Sequence, residues 1–182
     1  MLVGWNKKTL VGTIGYHNLS NHSIAPMLIE QIRALEWAAN VEIEEMNWGP
    51  IAIVQWFESL KVPFERVVLF TATERPGRNI ADMTIFRWGG GLPGDRMVQA
   101  CVGDAATGVI SPVSLLIIGE YFKIWPEEVY IADVEPGPER PGPELTPEVK
   151  QKVPDYFRIL GEVCQDGYPC NHFLYGDKIL ES

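Results

Sequence analysis

The chain has 182 residues, 46% of them hydrophobic, and a mean hydropathy of −0.01, enough for one domain with a full core and too little for two comfortable ones. A formal charge of −9 and a pI near 4.8 exclude a phosphate-backbone footprint, which needs clustered Lys and Arg, so any macromolecular partner is expected to be a protein and not nucleic acid. No apolar run is long enough for a membrane span or a signal segment, and Cys101, Cys164 and Cys170 lack paired metal spacing, which points to the reducing cytosol.

Met1 to Lys8 reads as an untethered start with Trp5 as its large apolar group. Leu10, Val11 and Ile14 form a short buried strand ending at Gly15. Met27, Leu28, Ile32 and Leu35 follow at helical spacing after a polar elbow. Strand, loop and helix together open an α/β sheet, in which ligands sit outside the carboxyl ends of the strands. The elbow Tyr16–Ser23 lies there and carries His17 and His22.

Val41 to Glu45 alternates as a second strand, and Trp48-Gly49-Pro50 turns the chain into a helix bearing Ile51, Val54, Trp56 and Phe57. Arg66 to Phe70 is nearly continuously apolar, as expected of a central strand covered on both faces and flanked by the first two strands. Met83 to Trp88 follows too closely for a helical crossover and is expected antiparallel to it. From Gly89 to Gly108 the glycines and Pro93 predict a long mobile loop bordering the cleft, a lid or substrate surface. The glycine spacing matches neither phosphate- nor dinucleotide-binding loops, so no nucleotide is expected.

Ser111-Pro112 caps and starts a helix reaching Phe122. Glu128 to Val134 is the last strand candidate, Pro136 to Pro143 is irregular, and the acids from Asp133 to Glu144 read as a solvated loop. Thr146-Pro147-Glu148 starts a final helix that Pro154 is expected to kink or interrupt. From Gln165 onward no period is visible. The expected organisation is one domain over residues 1–164 with an extended or partly ordered tail over 165–182. Its fold is a three-layer α/β sandwich of the phosphorylase/hydrolase-like kind: a mainly parallel twisted sheet with one antiparallel strand and helices on both faces.

Several stretches carry a resemblance: LVGTIG followed by SIAPMLIEQI, VEIEE leading into WGPIAIVQ, RVVLFTATERPG, YFKIWPEEVYIADVEP and LTPEVKQKVPDYFRIL. In their order and spacing from Leu10 to about Val163 the chain resembles the hydrogenase maturation endopeptidases, which trim the C-terminal extension from the nickel-loaded large subunit of nickel-iron hydrogenases. The resemblance implies nickel as metal and a hydrogenase large subunit as protein partner. Matched outward from Gly15 and Ala25, Tyr16 falls on a family asparagine and Asn21-His22 on an acidic pair whose glutamate is a metal ligand. The second ligand, an aspartate, falls on Glu45. The third, a histidine, falls in Ala106-Thr107-Gly108, and a further family aspartate corresponds to Thr71.

Imidazole and carboxylate both suit nickel, so His22 and Glu45 are the metal-ligand candidates, binding weakly as a pair, with Asp104, Glu44 or His17 to complete the set. The plain alternative makes His22 a loop residue hydrogen-bonded near a helix start and Glu45 an ordinary strand-end acid. His17 and His172 read as loop and tail residues, and Trp48, Trp56, Trp88 and Trp125 as packing, Trp48 also as a pocket wall beside Glu45. Cys164 and Cys170 read as free thiols, with a disulfide open to them if the tail folds back. No nucleophile elbow or cysteine context supports a triad, so the catalytic residues stay unassigned. Two functions follow: a nickel-dependent endopeptidase acting on an immature hydrogenase subunit, or a non-catalytic homologue that keeps the fold and serves assembly.

Overall fold

Arg66–Ala72 forms β3, a strand of Val, Leu and Phe buried on both sides, and the other elements arrange themselves about it in a computed structural model that describes residue 4 and residues 6–179. In chain order β1 (Thr9–Thr13), α1 (Ile24–Arg33), β2 (Val41–Glu45) and α2 (Pro50–Ser59) precede it. After it come β4 (Met83–Trp88), α3 (Asp95–Thr107), α4 (Pro112–Tyr121), β5 (Glu128–Val134), α5 (Pro147–Val163) and the two-residue β6 (Phe173–Leu174). The sheet order is β2-β1-β3-β5-β4-β6. β2, β1, β3 and β5 run parallel, β4 pairs antiparallel with β5, and β6 runs parallel to β4.

The period of two along each strand divides the core. Leu10, Val67, Leu69, Val129 and Ile131 face α2, α3 and α4, where Ile53, Leu115 and Ile118 meet them. Val11, Val68, Phe70, Tyr130 and Ala132 face α1 and α5 and pack on Ile24, Ile32, Val149, Tyr156 and Leu160. Each fully buried Val, Leu, Ile or Phe among them contributes about 1.5–3 kcal/mol. The expected three-layer α/β architecture is therefore found.

Two details of strand order differ from expectation. β3 lies between β1 and β5, with β2 on the far side of β1. Right-handed crossovers explain this: α1 packs on one face and α2 on the other, so β2 and β3 land on opposite sides of β1. Likewise β4 runs antiparallel to β3 as expected, but its hydrogen-bonded neighbour is β5, which inserts between them.

The expected loop 89–108 is also corrected. Only 89–94 is irregular, and Asp95–Thr107 is helix α3, with an acid in its first turn and Gly108 closing it in the left-handed conformation (φ 78°). Met97, Val98, Cys101 and Ala105 give it an apolar stripe against the core. α4 is apolar on all sides because it is buried from Ser114 to Gly119. Among the described residues no single helix is long and apolar enough to cross a membrane; α3 and α4 pass only as a pair bent by 108°.

Pro154 does not interrupt α5, which runs unbroken from Pro147 to Val163. The i−4 carbonyl it leaves without a helical donor is that of Lys150, an exposed residue, so the lost bond falls on the solvent side of the helix. Nor is the start of the chain untethered. Asn6 N donates to Asp166, Lys7 pairs with Glu128, and Lys8 N donates to Glu65; Trp5 lies outside the described residues. Residues 165–179 return along β4, Arg87 N and Gly89 N donating to His172 O and Leu174 O, and Ile179 enters the core.

Candidate functional site

The chain leaves β1 to one side for β2 and returns to the other for β3, so the crevice at their carboxyl ends is the switch point where open α/β sheets hold ligands. The elbow after β1 sits over it. A Cβ at Gly15 would press on Pro26 Cδ at 3.1 Å and His22 O at 3.2 Å, which explains the glycine. Asn18 (φ 64°) and Ser20 (φ 49°) adopt the left-handed conformation, a strained arrangement for residues other than glycine.

The Pro-rich loop after β5 holds that elbow. Ser20 N donates to Gly142 O at 2.9 Å, and Gly142 N donates to Asn18 O at 2.9 Å. Asn21, buried, donates its amide to Pro136 O (3.0 Å) and Thr146 Oγ1 (3.1 Å) and accepts from Thr146 N (2.9 Å). His22 Nε2 donates to Gly137 O at 2.9 Å and lies 3.4 Å from the Glu74 carboxylate. The tautomer is thereby set, with Nδ1 as the ring's lone-pair nitrogen.

Glu45 belongs to a different group. Its carboxylate accepts from Asn47 Nδ2 at 3.0 Å and lies 3.8 Å from His17 Nε2, while its backbone carbonyl accepts from the Trp48 indole. Asn47 Oδ1 in turn accepts from Gly15 N at 3.1 Å, and the Tyr16 hydroxyl accepts from Ile110 N at 2.8 Å. His22 is thus tied to loops following β3 and β5, and Glu45 stands at the end of β2. Adjacent strands are about 4.8 Å apart, so β2 and β5 are separated by roughly 14 Å. The structure therefore places the two sequence candidates in separate hydrogen-bonded groups, with His17 rather than His22 beside Glu45.

The other family positions hold no donor cluster. Thr71 is buried opposite Asp133 in the strand register, and Ala106-Thr107-Gly108 ends α3. Among the described residues no group of three or more His, Cys, Asp or Glu side chains is placed to hold a metal ion. A three-ligand nickel centre of the kind the resemblance implies does not fit this donor set.

An ion network stands at the end of β5 that the sequence reading missed. Asp133 and Glu135, expected in a solvated acidic loop, are buried. Arg75 Nε donates to Asp133 at 2.7 Å and Arg75 N to Glu135 at 2.8 Å. Arg78 Nε reaches Glu135 at 3.2 Å, and its other nitrogens bond to the carbonyls of Asp133 and Thr73. Burial pushes the Asp133 carboxyl up, against the pull of Arg75 and Arg78. The legible signal was alternation: Asp133 continues the buried period of β5, and Glu135 shares its side.

A mainly parallel sheet of this order, with helices on both faces and the crevice at the β1/β3 switch, is the fold of the hydrogenase maturation endopeptidases. The endopeptidase HybD from Escherichia coli superposes with a TM-score of 0.62 at 16% identity, covering 84% of this chain and 89% of HybD. The endopeptidase HycI from Escherichia coli gives 0.58 at 15% identity over 85% and 89%. The [NiFe] hydrogenase maturation protease HybD from Thermococcus kodakarensis gives 0.55 at 15% identity over 86% and 99%. No protein-family model and no curated protein sequence matches the chain.

Proposed function

We propose that this chain is a divergent relative of the hydrogenase maturation endopeptidases that binds the C-terminal part of a nickel-iron hydrogenase large subunit and serves its assembly without cutting it. One observation carries the reading: the endopeptidase-like sheet keeps its crevice, while the donors at its mouth, His22 and Glu45, are tied into separate groups. Recognition of a protein segment needs only the shape and polarity of that end. Metal-assisted hydrolysis needs a complete ligand set with one open position. The test is co-expression with a large subunit carrying its C-terminal extension, followed by purification and intact-mass measurement. A complex with an unshortened subunit is expected. Trimming that depends on this chain overturns the assembly role in favour of the endopeptidase, and no complex overturns both.

The endopeptidase reading has one observation of its own. Ligating histidines usually donate their second ring N–H to a carbonyl or carboxylate, and His22 does so to Gly137 O, leaving Nδ1 for a metal. On that reading nickel binds weakly, held first by His22. Calorimetry on tag-free protein then shows binding that is lost in His22→Ala and reduced in Glu45→Gln, with circular dichroism unchanged.

A further inference from the structure

We propose that the outer edge of β2 takes up an extended segment of a protein partner as an added strand, one in which Lys or Arg alternates with Val or Ile. The sheet ends in β2 on one side and in β6 on the other. β6 is blunted by its length of two residues, whereas β2 runs five in unbroken register and contains no proline. Thr9 N donates to Asn40 O and Met46 N to Thr13 O, so in this parallel ladder the even-numbered residues of β2 bond to β1 and the odd-numbered ones face outward. At the two ends the edge is closed, since Val41 N donates to Ala38 O and Glu45 O accepts from the Trp48 indole. Between them the Val41 carbonyl, the Ile43 N–H and carbonyl and the Glu45 N–H face out, without a hydrogen-bond partner among the described residues.

The side chains decide what can pair there. Val41 and Ile43 lie half-buried on the α1 face of the sheet, packed against the cluster that holds Val11 and Val68. Glu42 and Glu44 stand on the opposite face by the strand's period of two. Lys8 reaches Glu42 at 3.2 Å while donating to Val62 O, so it approaches from the inner side, and Glu44 has no ion pair among the described residues. A strand added beside β2 thus meets aliphatic side chains on one face and carboxylates on the other, and cross-strand pairing matches the first with Val or Ile and the second with Lys or Arg. A second copy of this chain is the wrong occupant. Two β2 edges paired antiparallel about Ile43 would set Glu42 opposite Glu44, and like charges directly opposite are destabilising. In strand addition of this kind the main-chain bonds supply the attachment and the alternate side chains the selectivity.

The test uses the full chain and two labelled heptapeptides, one alternating lysine with valine and the other glutamate with valine, read by fluorescence anisotropy and by amide hydrogen exchange in NMR. The lysine peptide is expected to bind about tenfold or more tightly than the glutamate peptide, and to slow exchange at the Ile43 and Glu45 amides while leaving Val67 to Phe70 as they were. Ile43→Pro deletes an outward N–H that an edge strand can lose and still fold; it should weaken binding about tenfold, with urea unfolding confirming the folded state. Glu42→Lys combined with Glu44→Lys leaves the backbone intact and should invert the preference toward the glutamate peptide, although the chain stays net negative. No binding of the lysine peptide, binding that leaves the Ile43 amide unprotected, or a charge-reversed variant that still prefers lysine overturns the proposal. The surface is the edge of the sheet and not the crevice, so this test and the large-subunit experiment can each fail alone.

Discussion

Asn21 and His22 show at the residue scale where a sequence stops being informative. Both were legible as elbow residues over the crevice, but their direction was not. It is set by Pro136, Gly137 and Thr146, more than a hundred residues away, which pull both side chains toward β5 and away from Glu45. Sequence pattern places residues at an end of the sheet; it does not say which strand column they lean over. The cysteines were easier, since no disulfide joins them: Cys101 and Cys164 are buried and Cys170 is half-buried. Burial pushes the Cys164 thiol up to about 12 and the Cys101 thiol up as well, and a neutral buried thiol is a poor nucleophile. Labelling of native protein with a thiol reagent at pH 8 should therefore modify Cys170 first, with Cys101 and Cys164 reacting only in denaturant. Fast modification of Cys164 in the native state would contradict this placement.

At the scale of elements, strands β1, β2, β3, β4 and β5 and helices α1, α2, α4 and α5 could be read from period and caps, whereas α3 and β6 could not. α3 sits behind glycines and a proline and carries Gly103 mid-run, so its short apolar stripe is hidden among breakers. β6 is two residues long, and its existence depends on the partner backbone of β4 rather than on its own propensity. Two glycines test these placements in opposite directions. A Cβ on Gly176 would collide with the carbonyl of Gly91, where the tail crosses the end of β4. Gly176→Ala should cost about 1–3 kcal/mol, as overpacking does. Gly161 lies inside α5 with nothing within 4 Å of an added Cβ, so Gly161→Ala should stabilise by about 0.5–1 kcal/mol through helix propensity. Urea unfolding of both variants checks the pair, and equal effects would mean that the tail does not dock as described.

The whole molecule is asymmetric along its strands: the carboxyl ends are left open, and the amino ends are bolted shut. Arg66, 1% exposed at the start of β3, donates to Glu128 at 2.8 Å and to Asp166 at 3.0 Å and also bonds the Cys164 carbonyl, while Lys7 shares Glu128. One guanidinium thus joins the chain start, the central strands and the end of α5. Composition could announce a charged Arg66 but not its burial, because its partners lie 62 and 100 residues away. The network carries a pH dependence. Burial alone would push the Glu128 carboxyl up, yet hydrogen bonds from Lys7 and Arg66 hold it below the usual carboxylate range, and against its own desolvation Asp166 is held below its range by Arg66 and the Asn6 backbone N–H. A carboxyl whose folded pKa is depressed contributes stability that is fully present above its unfolded value and is lost as pH falls through the folded one. The ordinary values are 4.5 for Glu128 and 3.8 for Asp166, so the loss should begin below about pH 4.5 and continue through the acid range. Asp133, held up by burial, works in the opposite sense. Glu128→Gln removes one charge-assisted partner of Arg66 and should cost about 2 kcal/mol at pH 7. Urea unfolding at pH 7, 5 and 3 should then show the wild type losing more stability than Glu128→Gln, the two curves drawing together at pH 3; parallel curves would mean that Glu128 does not titrate against Arg66.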